Sequence, residues 1–463
     1  MANITFGNYT PAEDKDDDPI DIVFGIFFDG TLNNKQNTKE RENNTAIYKK
    51  YGIKTWKERQ ISEKKDKSYD NDCSNIARMS ESCKDKAYPI YIEGIGTEDK
   101  QDDDQFGFAM GSKTTGVREK VKKGCDSLAK KIGKGGKIGV LTVDVFGFSR
   151  GAAAARNFVY EISKKKGKKY DDEDVLTKEL LERGYLGTKF NELNIIVEKI
   201  EIRFLGIYDT VSSYDPTVDT IAGMINHNFS NDVKELHLNE INSARNVVHF
   251  VATDEHRENF DLTHTHIGEE KTFPGVHSDI GGSYLSEEEW VREIETDWTN
   301  KNDLKPFEDK LIAEGWYTKE QLYYHGGNAY FALSGKRFLW KTYSFIPLKF
   351  MVEKAIKAGC SQILLDKVNK NYSFSKDSLL LRVEKRLRNY VFDNGQPYSF
   401  KWFKELEKKY KGAKVPEQRY ADYLREVEEQ KDLRTLRNKY LHWSADRYAT
   451  GMDPRSDRKR VTH

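Results

Sequence analysis

The chain has little cysteine, no long apolar run and almost no net charge, and each shortage removes a class of protein. Its four cysteines, Cys73, Cys83, Cys125 and Cys360, are too few and too scattered for a disulfide scaffold or a CxxC metal site. They read as ordinary thiols of a reducing compartment. No apolar stretch reaches the roughly 18 residues of a membrane span, and the first twenty residues contain neither a basic n-region nor an apolar h-region. The expectation is a chain made in the cytoplasm without a signal peptide, so that any role outside the cell needs another export route. Lys and Arg number 76 against 75 Asp and Glu, a net charge of +1 that offers no global field to nucleic acid, and no nucleic-acid partner is expected. Internal repeats and low-complexity tracts are missing too. What is present is a soluble exterior, with 33% charged residues and a mean hydropathy of -0.78, around bulky core material that includes 24 Phe and 25 Tyr.

After an acidic stretch, expected to be loose over residues 1–20, the run IVFGIFF from Ile22 to Phe28 is continuously apolar and stops at Asp29-Gly30. Similar runs recur at Tyr88 to Ile92, Ile138 to Phe148, Ile202 to Tyr208 and Val247 to Ala252, separated by connections too long for hairpins. Buried strands with long crossovers predict an α/β fold with a mainly parallel sheet and helices on both faces. Val117, Val121, Cys125, Leu128 and Ile132 fall on one helical face and predict one crossover helix. The predicted catalytic domain is 21–285, with an insertion at about 33–86 and another at 161–195. Residues 286–463 read as a mainly helical region, packed on the catalytic domain or forming a lid. Within it Phe345, Ile346, Leu348, Phe350, Met351 and Ile356, interleaved with Lys349, Lys354 and Lys357, predict a core helix, with an interfacial helix as the alternative. Arg458, Lys459 and Arg460 read as a solvated tail.

The third run leads straight into Gly147-Phe148-Ser149-Arg150-Gly151 and then AAAARNFVYEI, a strong helix former that begins with very small side chains. Strand, sharp turn and helix are the setting of a nucleophile elbow, where glycines two residues either side of a serine let strand and helix approach. Ser149 is therefore the candidate nucleophile. The N–H of Arg150, at the helix N-terminus, is a candidate oxyanion donor. Gly30 and Thr31 are candidates for a second donor, with Gly94 to Thr97 as a further loop of suitable composition.

A serine hydroxyl needs a histidine to take its proton and a carboxylate to orient that histidine. All ten histidines lie downstream of Ser149, so chain order discriminates poorly and strand ends must decide. Asp209 ends the strand in FLGIYDTV and is the leading acid, with Asp254 in VATDEHR and Asp279 as alternatives. His277, in the turn-rich FPGVHSDIGG, is the leading base. His256, between Glu255 and Arg257, reads instead as part of a solvated ion-pair cluster. This chemistry requires no cofactor or metal.

Taken together, FFDGTLNN, SNIARM, YIEGIGT, GFSRGAAAAR, FLGIYDTV, VATDEHR and FPGVHSDIGGSY, in that order from Phe27 to Tyr284, resemble the DUF2235 family of α/β hydrolases, which includes phospholipase effectors of bacterial type VI secretion. The family's Ser, Asp and His fall on Ser149, Asp209 and His277. This chain departs at Ser283, where the family usually continues with glycine. The resemblance implies cleavage of a glycerophospholipid acyl ester, of A1 or A2 type, through an acyl-enzyme. It further implies an antibacterial toxin that acts on a phospholipid membrane in the target-cell periplasm, with an immunity protein and type VI spike or tube components as partners.

Two other classes stay open at this point. A metal-dependent hydrolase could draw on His249, His264, His266, His277, Asp254 and Asp279, although no HExxH or other complete ligand motif occurs. A non-catalytic binding module could retain an old hydrolase sheet.

Overall fold

The computed structural model describes residues 18–52, 68–104, 116–165, 167–170, 176–180, 182–212, 229–327, 329–449 and 451–463. Most of the expected acidic stretch, residues 1–17, and residues 53–67 of the expected insertion lie outside the described residues.

The apolar runs become strands. In chain order the first are β1 (Ile20–Phe28), β2 (Pro89–Ile92) and β3 (Lys137–Phe148), then a small antiparallel hairpin of β4 (Gly167–Tyr170) and β5 (Leu176–Leu180), then β6 (Ile196–Tyr208), β7 (Val247–Ala252) and β8 (Glu269–Phe273). Six of them form one sheet, ordered β2-β1-β3-β6-β7-β8, and every neighbouring pair is parallel. The predicted α/β class holds. β8 was not legible as an apolar run, because its sequence EEKTF lies at the sheet edge with only Phe273 buried.

Side chains alternate between two cores, as a pleated strand covered on both faces requires. Ile26, Phe28, Val143, Val145, Leu205 and Ile207 point to one face. There they meet α1 (Val117–Ile132), the helix predicted from periodicity, and α2 (Arg150–Ile162), whose small residues Ala152 to Ala155 are fully buried. Phe27, Phe146, Phe148, Phe204 and Tyr208 point to the other face. Their core is completed from the far half of the chain by α3 (Phe345–Lys357) and α4 (Ser378–Phe392). Phe345, Ile346, Leu348, Phe350 and Met351 are buried in it, so the segment is a core helix and Lys354 is held by Glu269.

Residues 286–463 also contain an antiparallel sheet, β9 (Glu287–Asp297), β10 (Leu322–Gly327) and β11 (Tyr330–Leu339), in the order β10-β11-β9. In β9, EEEWVREIETD, only Val291 and Ile294 are buried among charged residues, which hid that strand among helical patterns. Buried Arg337 ties this sheet to the long helix α5 (Gln418–Lys439). It pairs with Glu289 at 2.7 Å and donates to the carbonyls of Trp316, Arg437 and Leu441.

The parallel register brings one edge of the main sheet into line. Phe28 pairs with Gly147, Phe148 with Tyr208, Tyr208 with Phe250, and Ala252 with Phe273. Asp29, Ser149 and Asp209, each one residue beyond its strand, therefore emerge side by side, and the loop carrying His277 leaves the same edge.

Candidate active site

Ser149 caps α2 with φ 58° and ψ -130°, a conformation in which an L-residue is strained. The strain is imposed from both sides. Its N–H donates to Tyr208 O at 3.0 Å, extending the β3–β6 ladder, while its carbonyl already accepts from Ala152 N–H at 3.0 Å as the helix begins. The flanking glycines have a steric cause. A Cβ on Gly147 would lie 2.5 Å from the carbonyl oxygen of Gly151, and one on Gly151 would collide with the backbone of Asp29. Strand, helix and the loop after β1 approach too closely for any side chain there.

Asp209 follows β6, also with positive φ (42°), and is fully buried. One carboxylate oxygen bonds His277 Nδ1 at 2.5 Å and the other accepts the Ala252 N–H at 2.8 Å. The Arg460 guanidinium grips both, at 2.7 and 2.9 Å. Burial alone would raise the pKa of this carboxyl. The charge of Arg460 and the His277 bond outweigh that and hold it far below the usual carboxylate range.

His277 opens a short helix, His277–Gly281, between β8 and β9. Its backbone N–H donates to Glu255 at 3.2 Å, and its ring lies between Phe148 and Phe260 at centroid distances of 4.6 and 5.1 Å. Burial lowers the imidazole pKa, against the opposing pull of Asp209. A neutral imidazole with Nδ1–H fixed on a carboxylate presents Nε2 as a base. No hydrogen bond joins Ser149 Oγ to this ring. The two are linked through Phe148, the residue before the serine.

The rival acids are engaged elsewhere. Asp254 receives Arg437 at 2.9 Å and the Gly275 N–H at 2.7 Å. Asp279 receives His442 Nδ1 at 2.7 Å and the Val276 N–H at 3.0 Å, so it shapes the His277 turn rather than the imidazole. The expectation of a solvated cluster at Glu255, His256 and Arg257 is corrected, since all three are buried. Glu255 and Arg257 neutralise each other at 2.7 Å, and Arg257 lies over the Phe260 ring, which allows the charges to be withdrawn from water.

Of the oxyanion candidates, the Gly30 N–H is already given to Asp29 at 2.7 Å, which leaves Thr31 as the better placed of the two. Arg150 Nε donates to Thr31 Oγ1 at 2.7 Å and fastens this loop to the N-terminus of α2. Gly94 supports the same loop from outside by donating to Asn33 O at 2.8 Å.

The residues considered for a metal do not converge. Glu270 bonds His249 at 2.9 Å and His264 at 2.6 Å and is pushed down to about 2 despite partial burial. His266 is exposed, and His277 faces Asp209. Among the described residues no group of three or more His, Cys, Asp or Glu is disposed to hold an ion. His249 nonetheless bears on the site, because its Nε2 accepts the N–H of Thr210, the residue next to Asp209, at 3.1 Å.

Sequence reasoning missed Arg460 and read its neighbourhood as a solvated tail. Arg458 in fact donates to Glu295 and Ile294 O, both at 2.7 Å, and the Arg460 side chain is only 7% exposed. No local motif announces such a contact, which spans 251 residues of chain.

Comparison with known proteins agrees with the resemblance read from the seven sequence blocks. Residues 157–302 match the family model described as T6SS, Phospholipase effector Tle1-like, catalytic domain, a span that includes Asp209 and His277 and begins after Ser149. The solved structure of the Tle1 effector bound to the VgrG spike from the type 6 secretion system superposes with a TM-score of 0.58 at 19% identity, covering 96% of this chain and 94% of that one. The two share a fold. A crystal structure of an uncharacterized protein from Pseudomonas aeruginosa aligns at 17% identity over 92% of this chain and 65% of that one, with a TM-score of 0.38. No curated protein matches the sequence.

Proposed function

We propose that this protein, similar over its middle third to the type VI phospholipase effectors, is a serine esterase that removes acyl chains from glycerophospholipids by phospholipase A1 or A2 chemistry. The observation that carries the reading is the buried His277–Asp209 bond beside a serine held in strained elbow geometry, with the three residues in the hydrolase order Ser, Asp, His. His277 Nε2 takes the hydroxyl proton as Ser149 Oγ bonds to the ester carbonyl carbon. The N–H groups of Arg150 and Thr31 stabilise the oxyanion, and one such donor is worth roughly 3 to 4 kcal/mol of barrier. Collapse breaks the acyl C–O bond, and His277 returns its proton to the departing lysophospholipid oxygen. Water, deprotonated by the same imidazole, then releases the fatty acid and restores Ser149.

The similarity to a spike-bound effector supports delivery by type VI secretion into a target-cell periplasm, with a spike component and an immunity protein as partners. No helix among the described residues is long and apolar enough to cross a membrane. Incubation with mixed phospholipid vesicles, followed by mass spectrometry of the products, tests the activity and identifies the acyl position. Ser149→Ala should abolish fatty-acid release, and undiminished release would overturn the proposal.

A further inference from the structure

Segment 453–463 is built into the wall of the site. The Glu258 N–H donates to Asp453 O at 3.0 Å, Arg455 N–H to His256 O at 2.9 Å, and Leu262 N–H to Val461 O at 3.0 Å, while His463 N–H returns a bond to Leu262 O at 2.8 Å. Bridges pair Arg257 with Pro454 and Leu262 with Thr462. The segment therefore runs along loop 256–264, whose Phe260 covers the His277 ring. From it Arg460 turns inward. Nε donates to Phe260 O at 2.6 Å, which fixes the plane of the guanidinium, and the two terminal nitrogens meet the two oxygens of Asp209.

We infer that Arg460 is a positioning residue for the esterase reaction, setting the orientation of the Asp209 carboxylate and through it the orientation and basicity of His277. The inference rests on the triad reading above. With Arg460 in place each Asp209 oxygen has two donors, and the carboxylate cannot rotate away from the imidazole. Without it, a fully buried carboxylate keeps one backbone N–H and one imidazole. Arg460 also neutralises Asp209, so a proton arriving on His277 meets a pair that is already balanced. The charged groups facing the imidazole are Asp209 from the end of β6, Glu255 and Arg257 from the loop after β7, and Arg460. Only Arg460 comes from outside the blocks that carry the family resemblance.

The test compares Arg460→Gln, Arg460→Lys and Arg460→Ala in the full chain, with a soluble p-nitrophenyl ester and with phospholipid vesicles. Arg460→Gln should lower kcat by up to about 100-fold with little change in KM, the scale of a misplaced catalytic group. It should also move the acidic limb of kcat/KM to higher pH by roughly half a unit, because a positive charge near the imidazole has been removed. The lysine keeps the charge without the fork, so it should restore the limb but not kcat. Guanidinium ion added to Arg460→Ala at millimolar concentration should recover part of kcat, a readout that a purely structural role would not give. Arg455→Gln, which loosens the segment at Asp261, serves as the comparison for stability. It should leave the pH limb in place. If Arg460→Gln fails to fold, the lysine and the guanidinium rescue decide the question. Wild-type kcat and pH limb in Arg460→Gln, or no rescue of Arg460→Ala, would overturn this inference alone, provided Ser149→Ala is inactive. Activity in Ser149→Ala would overturn the triad reading beneath it.

Discussion

Replacing Ser149 by glycine should stabilise the protein relative to replacing it by alanine. Both variants lose the hydroxyl, so the comparison isolates one Cβ at φ 58° and ψ -130°. A non-glycine residue held in so sparsely populated a region costs of order 1–3 kcal/mol, and glycine avoids most of that. Glycine also has the freer unfolded chain, which subtracts roughly 0.5–1 kcal/mol. The balance favours Ser149→Gly over Ser149→Ala by about 1 kcal/mol. Thermal melting is a poor assay here, because at about 2.1 cal/mol/K per residue a chain of this length moves only about one degree per kcal/mol. Urea denaturation followed by tryptophan fluorescence is better suited, with the slope required to be equal in the two variants so that the midpoint difference reports stability. An alanine variant as stable as the glycine variant, or more so, would refute the claim that the elbow stores strain.

Other expectations concern charge. Arg337→Ala takes the ion-pair partner from Glu289, which keeps only the N–H groups of Trp443 and Ser444, and strips three carbonyls of a donor, so it should cost about 3 kcal/mol in urea denaturation. The buried carboxyls of Asp209 and Glu255 have depressed pKa values, so their contribution to stability is complete above the ordinary carboxylate range and is lost as pH falls. Unfolding free energy should therefore hold nearly level down to about pH 5 and decline below about pH 4, and a flat profile to pH 3 would contradict the pairing. Because burial lowers the pKa of His277, the acidic limb of kcat/KM should have its midpoint below about 6.5, the ordinary histidine value; a midpoint above 7 would contradict the environment described.

The sheet was legible where its strands are predominantly apolar, as in β1, β3 and β7, and the crossover helix Val117–Ile132 was legible from its three- and four-residue spacing. β8 and β9 escaped because edge strands and half-exposed strands carry charges that periodicity assigns to solvent. The meeting of Ser149, Asp209 and His277 at one edge could be anticipated from parallel strands, since each follows or neighbours a strand's carboxyl end. The burial of Glu255, Arg257 and Arg460 could not, because it depends on ion pairing, locally between Glu255 and Arg257 and across 251 residues between Arg460 and Asp209. Hydropathy scores a charge by its own preference for water and is blind to a partner.

The bond between Arg460 and Asp209 also sets an order in time. A ribosome adds about 5–20 residues per second, so the 251 residues between the two take roughly 10–50 s to make. Throughout that interval the aspartate at the end of β6 lacks its arginine, and the core face of Phe27, Phe146 and Tyr208 waits in its turn for the helix at Phe345, which is made before Arg460. Local helices form in microseconds and stand ready. The parallel sheet, with its long-range pairings, is the slow element. Dry packing around Asp209 is thus a late event of biosynthesis, and every nascent chain passes through a stage in which its secondary structure is present and the ion-paired interior around Asp209 is still wet.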